Sequence, residues 1–358
     1  MPFKLSIYPW VHCCRCNDNQ WKGEFIEHEH CSPEEEARLG AEDDLLTRRN
    51  HIPGVPMVNF TSQYGLGCFE GLKAYPQKDG TLKLFRPERN CARMAVSMRG
   101  LRMPPIPEDL LLETIFEIVR RNKVLGFAPE YDAAWEKDIW QNAATVYVRP
   151  FAISEPGIGV NLSVTPWVIT ICTTVSAYFR LGENNAVVSK RIRATPGGTG
   201  WIKTAANYVT STLAKAEALD EGYMEAIFLD CTTGKNIEEG SSCNFFAVLK
   251  DGTVVTPELH DTILPGITRD SVMVLARDMG MKTQERDLSL EEVFDDASEC
   301  FVTGTAAGVT PLSSITREGK TKRFASLEAD SVSNRFLKQL KGIQFGALSD
   351  KHGWMRDV

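Results

Sequence analysis

Between residues 181 and 200 the chain runs LGENNAVVSKRIRATPGGTG, a polar stretch with one proline and four glycines that follows a β-rich run. Backbone this permissive does not hold the interior of a helix or strand, so it marks a division of the chain. The reading is two domains of mixed helix and strand, residues 1–185 and 201–358, joined by an interdomain linker at 186–200. With 358 residues, 43% of them hydrophobic, the chain is long enough to bury two cores.

On the N-terminal side, residues 107–126 read PEDLLLETIFEIVRRNKVLG. Proline and two acids open the segment, Leu111, Ile115, Ile118 and Val119 recur at helical spacing, and basic residues with Gly126 close it, which predicts an amphipathic helix. A shorter helix is expected after Pro87, with Cys91, Met94, Ala95 and Met98 on one face and Gly100 after its last turn. TLKLF and TVYVRPFAI read as strands. Beyond the linker come a helix at 207–220, strands EAIFLD and NFFAVL, a helix TRDSVMVLARDMG stopped by Gly280, and the strand ECFVTG. Helices and strands mix without strict βαβ alternation, so the expected class is α+β rather than a doubly wound sheet.

The net charge of -7, with both signs interspersed, gives no footprint for nucleic acid or an anionic membrane. No apolar run reaches the roughly 20 residues that span a bilayer, since even YVRPFAISEPGIGV is broken by Arg149, Glu155 and two prolines. The start MPFKLSIYPW lacks the pattern of a secretory leader, so the cytoplasm is the expected compartment and the ten cysteines are expected to be mostly reduced. Cys13, Cys14 and Cys16, followed by His28, His30 and Cys31, crowd soft ligands together, but no second closely spaced cysteine pair follows and the segment ends in the acidic run Glu34 to Glu36. Free thiols are expected there, and no metal site.

The chemistry-bearing residues lie further on. Gly197, Gly198 and Gly200 precede Lys203. A nucleotide phosphate loop is excluded, because that motif needs glycine immediately before the lysine and Ile202 stands there. The other reading is a lysine amine that attacks an aldehyde, its neutral form favoured by the apolar flank of Trp201 and Ile202. Taken alone, such a lysine is an ordinary solvated one. Three other segments add weight. Glu239 in EEGSSCNFFAV precedes a buried strand, where a carboxylate needs a cationic partner such as a protonated pyridine nitrogen. In ILPGITRD, Gly266, Ile267 and Thr268 open a helix whose free N–H groups attract an anion, against the alternative of a Pro-Gly turn with a threonine cap. VTGTAAGVTP offers Thr303, Gly304, Thr305, Ala306 and Ala307 as a second oxyanion turn. Together these are what a phosphorylated pyridine aldehyde requires.

From about Tyr64 to Ile315 the segments YGLGCFEGLKAY, LFRPERNCARM, YVRP, SEPGIGV, GGTGWIKTAANY, EEGSSCNFF, LPGITRD and GTAAGVTP follow one another in an order that resembles the fold-type IV pyridoxal-phosphate-dependent transaminases, specifically the branched-chain amino acid aminotransferases. The resemblance implies pyridoxal 5'-phosphate at the interface of the two domains, bound chiefly by the C-terminal one, with Lys203 carrying it as a Schiff base and shuttling the proton. It assigns Glu239 to the pyridine nitrogen, Tyr208 to the phenolic oxygen, and Arg93, Ile267, Thr268 and Thr305 to the phosphate, with Arg193 adding charge nearby. The backbone N–H groups of Ala306 and Ala307 would take the substrate α-carboxylate, while Tyr64, Tyr147 and Arg149 line the side-chain pocket. Arg149 would meet the γ-carboxylate of glutamate, the alternative being a structural ion pair. The SEPGIGV loop, with Ile158 and Val160, would reach the site of a second subunit, implying a homodimer.

The implied reaction transfers the amino group of L-leucine, L-isoleucine or L-valine to 2-oxoglutarate, giving branched-chain 2-oxo acids and L-glutamate. D-amino acid transaminase, R-selective amine transaminase and aminodeoxychorismate lyase are the alternatives in the same fold, and FEGLKAY and YVRP favour the branched-chain group. The redox CxxC that mammalian members carry after the GTA turn is replaced here by the neighbourhood of Ala307 and Thr310, so thiol regulation of that kind is not expected. A scaffold that has lost catalysis is disfavoured by the intact Lys203, Tyr208 and Glu239.

Overall fold

The computed structural model describes residues 6–40, 43–52, 54–175 and 184–358. Seven strands open one sheet: β1 (Trp10–Asn17), β2 (Gln20–Glu27), β3 (Cys68–Phe69), β4 (Leu72–Pro76), β5 (Leu82–Phe85), β6 (Thr145–Ile153) and β7 (Trp167–Val175). A second sheet holds β8 (Asn185–Val188), β9 (Glu225–Leu229), β10 (Ile237–Gly240), β11 (Asn244–Leu249), β12 (Val254–Thr256), β13 (Thr283–Glu285), β14 (Ala297–Gly304), β15 (Gly308–Leu312), β16 (Ser314–Arg317) and β17 (Lys320–Arg323). The last strand, β18 (Met355–Asp357), returns to the first sheet and pairs antiparallel with β5. Around the sheets lie α1 (Pro33–Arg38), α2 (Asp44–Arg48), α3 (Phe60–Tyr64), α4 (Pro87–Gly100), α5 (Glu108–Val124), α6 (Asn207–Asp220), α7 (Ile267–Asp278), α8 (Leu290–Asp296) and α9 (Val332–Gln344). The mixture is the expected α+β class, and α5, α6 and β6 fall where their periodicity placed them.

The linker expected at 186–200 is corrected at its start. Asn185–Val188 is a strand, parallel to both β9 and β16, and the chain becomes irregular only after it. Residues 181–183 of the polar stretch lie outside the described residues. At the N-terminus, β1 and β2 form a hairpin turned by Asp18 and Asn19, both with positive φ. Cys13, Cys14 and Cys16 are buried on β1 as free thiols, packing as small apolar groups, and Cys31 is half-buried and free. Among the described residues no group of three or more histidine, cysteine or acidic side chains is set to hold a metal ion.

Strand alternation decides what faces the site. On β4 and β6, Leu72, Ala74, Val146 and Val148 pack with Met94 and Met98 of α4 and with Ile115, Ile118 and Val119 of α5. The intervening residues, Lys73, Tyr75, Tyr147 and Arg149, therefore lie on the opposite face. There Tyr75 joins a core with Phe246, Phe301, Phe336 and Phe345 from the second sheet and α9. Each large side chain fully buried in this way contributes roughly 1.5–3 kcal/mol, so the two sheets are fixed against each other beside a polar cleft.

Candidate active site

Lys203 is held by its backbone before its side chain does anything. Its N–H donates to Ser97 Oγ at 3.0 Å, and its carbonyl accepts from Phe69 N–H at 3.1 Å. The next residues continue the pairing: Ala205 N–H and the Thr204 hydroxyl both donate to Gly67 O, at 2.9 and 2.8 Å. The glycine just upstream of the lysine is needed for close approach, since a Cβ on Gly200 would stand 2.5 Å from Thr262 O. The Nζ of Lys203 donates to Tyr208 Oη at 2.7 Å and lies 5.0 Å from the centroid of Phe69, whose ring packs 4.9 Å from that of Tyr208. This is a fixed amine in a cleft, not the solvated lysine that would follow a loose loop.

Glu239 is 3% exposed at the end of β10. Burial pushes its carboxyl up to about 7, with Arg193 pulling it down and Glu238 pushing it further up. Arg193 Nε stands 2.5 Å from Glu239 Oε1, and Asn244 Nδ2 donates to the other oxygen at 3.1 Å. Arg193 was expected to add charge near the phosphate end; the structure instead commits it to Glu239, with Nη1 donating to Thr262 O at 2.7 Å. Its guanidinium answers the need of a buried acid for a cation.

The two predicted anion turns meet. Gly266 caps α7 with no side-chain hydrogen bond, which leaves the first N–H groups of the helix without a cap. Thr305, Ala306 and Ala307 form the tip between β14 and β15, closed by Gly308 at φ +62°, and the buried Thr303 hydroxyl has no partner among the described residues. Ile267, Thr268, Gly304 and Thr305 line one cavity of about 20 Å³. Arg93 reaches the same end, where Nη1 donates to Pro265 O at 3.0 Å. Its other nitrogens grip Glu70 in a two-pronged pair at 2.7 and 3.0 Å, and Asn90 Nδ2 donates to the same carboxylate at 2.8 Å. Glu70 and Asn90 are absent from the sequence reading. Their signal was an acid set inside the apolar run of FEGLKAY, the same kind of anomaly that singled out Glu239.

On the substrate side, Arg149 Nη2 donates to Tyr147 Oη at 2.6 Å, and its guanidinium lies 4.5 Å from the Phe69 centroid. Among the described residues it has no carboxylate partner, so the structural ion pair weighed from sequence is not formed. Tyr64 Oη accepts from Gly159 N–H at 3.1 Å, which brings the SEPGIGV loop to the same mouth. Within the single chain, however, Ile158 and Val160 are 79% and 92% exposed.

A lysine clamped to a phenol between a buried acid and two backbone anion turns defines a class, and the sequence comparison agrees. Residues 67–315 match amino-transferase class IV, and the chain belongs to that family. Among individual relatives, branched-chain-amino-acid aminotransferase 6 of Arabidopsis thaliana is 36% identical over 312 residues, 86% of this chain and 82% of its own. The Escherichia coli branched-chain amino acid aminotransferase structure superposes with a TM-score of 0.71 at 30% identity, covering 85% of this chain and 93% of that one. A third relative, the T.th. branched-chain amino acid aminotransferase complexed with N-(5'-phosphopyridoxyl)-L-glutamate, gives a TM-score of 0.72 at 26% identity, covering 98% of each chain.

Proposed function

We propose that this chain is a pyridoxal-phosphate-dependent branched-chain amino acid transaminase, moving the amino group of L-leucine, L-isoleucine or L-valine to 2-oxoglutarate and back. The contact that carries the reading is Lys203 Nζ on Tyr208 Oη at 2.7 Å, in a cleft with a buried acid toward one end and uncapped backbone donors toward the other. A phosphorylated pyridine aldehyde fits these residues: the capless start of α7 and the cavity that Thr268 and Thr305 line beside it suit a phosphate region, and Glu239 suits a ring nitrogen. When bound, that group supplies an aldehyde carbon for the amine and a ring that accepts the electron pair left on the substrate α-carbon.

The residues of the chain then divide the work. Lys203 Nζ would take the proton from the substrate α-carbon and pass it to the carbon that the cofactor's aldehyde supplies, and the Tyr208 hydroxyl keeps Nζ in place and meets the phenolic oxygen. Glu239, paired with Arg193, faces the ring nitrogen. Arg93, Ile267, Thr268 and Thr305 take the phosphate. Ala306 and Ala307 present N–H groups to the α-carboxylate. Phe69, Tyr64 and Tyr147 form an apolar wall, and Arg149, which lacks an acid of its own among the described residues, meets the γ-carboxylate of glutamate or 2-oxoglutarate. A relative solved in complex with N-(5'-phosphopyridoxyl)-L-glutamate supports a site of this family that takes glutamate together with the cofactor.

The assembly in this reading is a homodimer in which Ile158 and Val160 complete the partner's pocket; their exposure supports it. No helix among the described residues is long and apolar enough to cross a membrane, and the cytoplasm is the compartment proposed. The division between two domains falls near residue 184, where the chain leaves β7 for β8, with β18 returning to the first. The test is an absorbance spectrum of the purified chain followed by amino-donor profiling. Colour lost in Lys203→Ala and turnover of L-leucine with 2-oxoglutarate are expected. Turnover of D-alanine or R-1-phenylethylamine without L-leucine would reject the substrate class.

A further inference from the structure

Two arginines assigned to the cofactor are already neutralised, Arg93 by Glu70 and Arg193 by Glu239. The N-terminus of α7 contributes only about half a positive charge, whereas a phosphate group carries about -1.5 to -2 near neutral pH. Compensation has to come from elsewhere, and two lysines outside the roles assigned so far lie where it is needed. Lys73, on β4, is 6% exposed, and its side chain makes no hydrogen bond or ion pair among the described residues. Lys341, on α9, has its Nζ 5.6 Å from the centroid of Phe345 and no carboxylate partner among the described residues. Both line the small cavity that also exposes Ile267, Thr268, Gly304 and Thr305, and the Cε of Lys341 lies 3.6 Å from where a Cβ on Gly308 would stand.

Two desolvated ammonium groups around one cavity, without an acid between them, are an unfavourable arrangement unless an anion joins them. Burial, with Lys341 adding to it, lowers Lys73 to about 7; burial, partly opposed by Asp138, lowers Lys341 to about 8. The cavity walls discriminate between the two anionic groups the site would receive. Thr268 and Thr305 are present, whereas Ala306, Ala307, Tyr147 and Arg149 are not, so the cavity belongs to the phosphate end and not to the substrate carboxylates.

We propose that Lys73 and Lys341 form a cationic wall of the phosphate cradle, holding the 5'-phosphate of the cofactor beside Thr268 and Thr305. This rests on the cofactor reading above. The full chain, stripped of and then titrated with pyridoxal phosphate or with pyridoxal, which lacks the phosphate, separates the possibilities. Lys73→Met and Lys341→Met are each expected to weaken pyridoxal phosphate binding about tenfold, the worth of one charge-assisted contact, while pyridoxal binding is unchanged. Calorimetric titration with inorganic phosphate reads the lysines independently of any covalent link, and it is expected to weaken in the same variants. Equal weakening of pyridoxal and pyridoxal phosphate, or no change in either with the coloured holoenzyme intact, overturns the proposal. A colourless wild type that still binds inorganic phosphate through Lys341 instead overturns the cofactor reading and leaves the anion site standing.

Discussion

Glu70 and Glu239 are buried to nearly the same degree, yet their surroundings drive them in opposite directions. At Glu70 burial alone would raise the carboxyl, but the two-pronged Arg93 contact, with Lys203 and Asn90 adding to it, holds it below the usual range. At Glu239 burial wins over Arg193, and the carboxyl rises from 4.5 to about 7. A raised acid binds its proton more tightly in the folded chain than in the unfolded one, so its contribution to stability is complete below about pH 4.5 and is lost as pH rises through about 7. The swing is on the order of 3 kcal/mol. Cofactor-free Glu239→Gln protein is therefore expected to lose less melting temperature, or gain more, between pH 5 and pH 8 than the wild type; equal pH slopes in the two proteins would remove Glu239 as a source of the dependence. Glu239 was legible in the sequence because an acid abuts a buried strand. Glu70 carries the same mark, but its partners Asn90 and Arg93 come from α4 and only the fold brings them to it.

At the level of elements, the pairing of β4 with β6 makes Gly71 a specificity device. A methyl group on Gly71 would overlap the Tyr147 hydroxyl, the group to which Arg149 donates. Gly71→Ala must therefore displace the phenol or bend β4, at a stability cost of about 1–3 kcal/mol typical of overpacking. Michaelis constants for L-leucine and 2-oxoglutarate are expected to rise about tenfold, the size of one lost polar contact, while the absorbance of bound cofactor is unchanged. Unaltered constants would show that the Tyr147–Arg149 pair does not define the pocket. The elements that were legible share one property, which is that their signals are local. Helix α5 carries acids at its start and basic residues at its end, α6 and α7 show helical periodicity, and β6 alternates cleanly. Those that were not legible depend on distant partners. β8 is four residues of Asn-Ala-Val-Val embedded in a polar stretch, and its strand character comes from β9 and β16 on either side. β18 is three residues with no pattern of their own, defined by pairing with β5.

The molecule as a whole leaves an apolar surface that the isolated chain does not explain. Met57, Val58, Ile158, Val160, Leu162 and Val164 are all exposed, on the two segments that flank Tyr64. These segments are fastened to each other: Gly159 N–H donates to Tyr64 Oη, Gln63 Nε2 donates to Gly157 O, and Asn59 pairs with Pro156. The apolar side chains are thus displayed from a braced scaffold at the mouth of the cleft. Clustered exposed apolar groups mark an interaction surface, and in the proposed homodimer an identical patch on a second copy would satisfy it by two-fold pairing. The consequence is testable in one variant, Ile158→Asp with Val160→Asp, which places charge on the patch without touching Lys203, Glu239 or the anion turns. Light scattering is expected to give twice the chain mass for the wild type and the single-chain mass for the variant. The variant is expected to retain the cofactor's colour and to lose affinity for L-leucine, because the proposed pocket wall from the partner would be gone while the groups that hold the cofactor stay in place. A variant that remains dimeric with normal leucine kinetics would place the interface elsewhere and leave Tyr64 to close the pocket from its own chain.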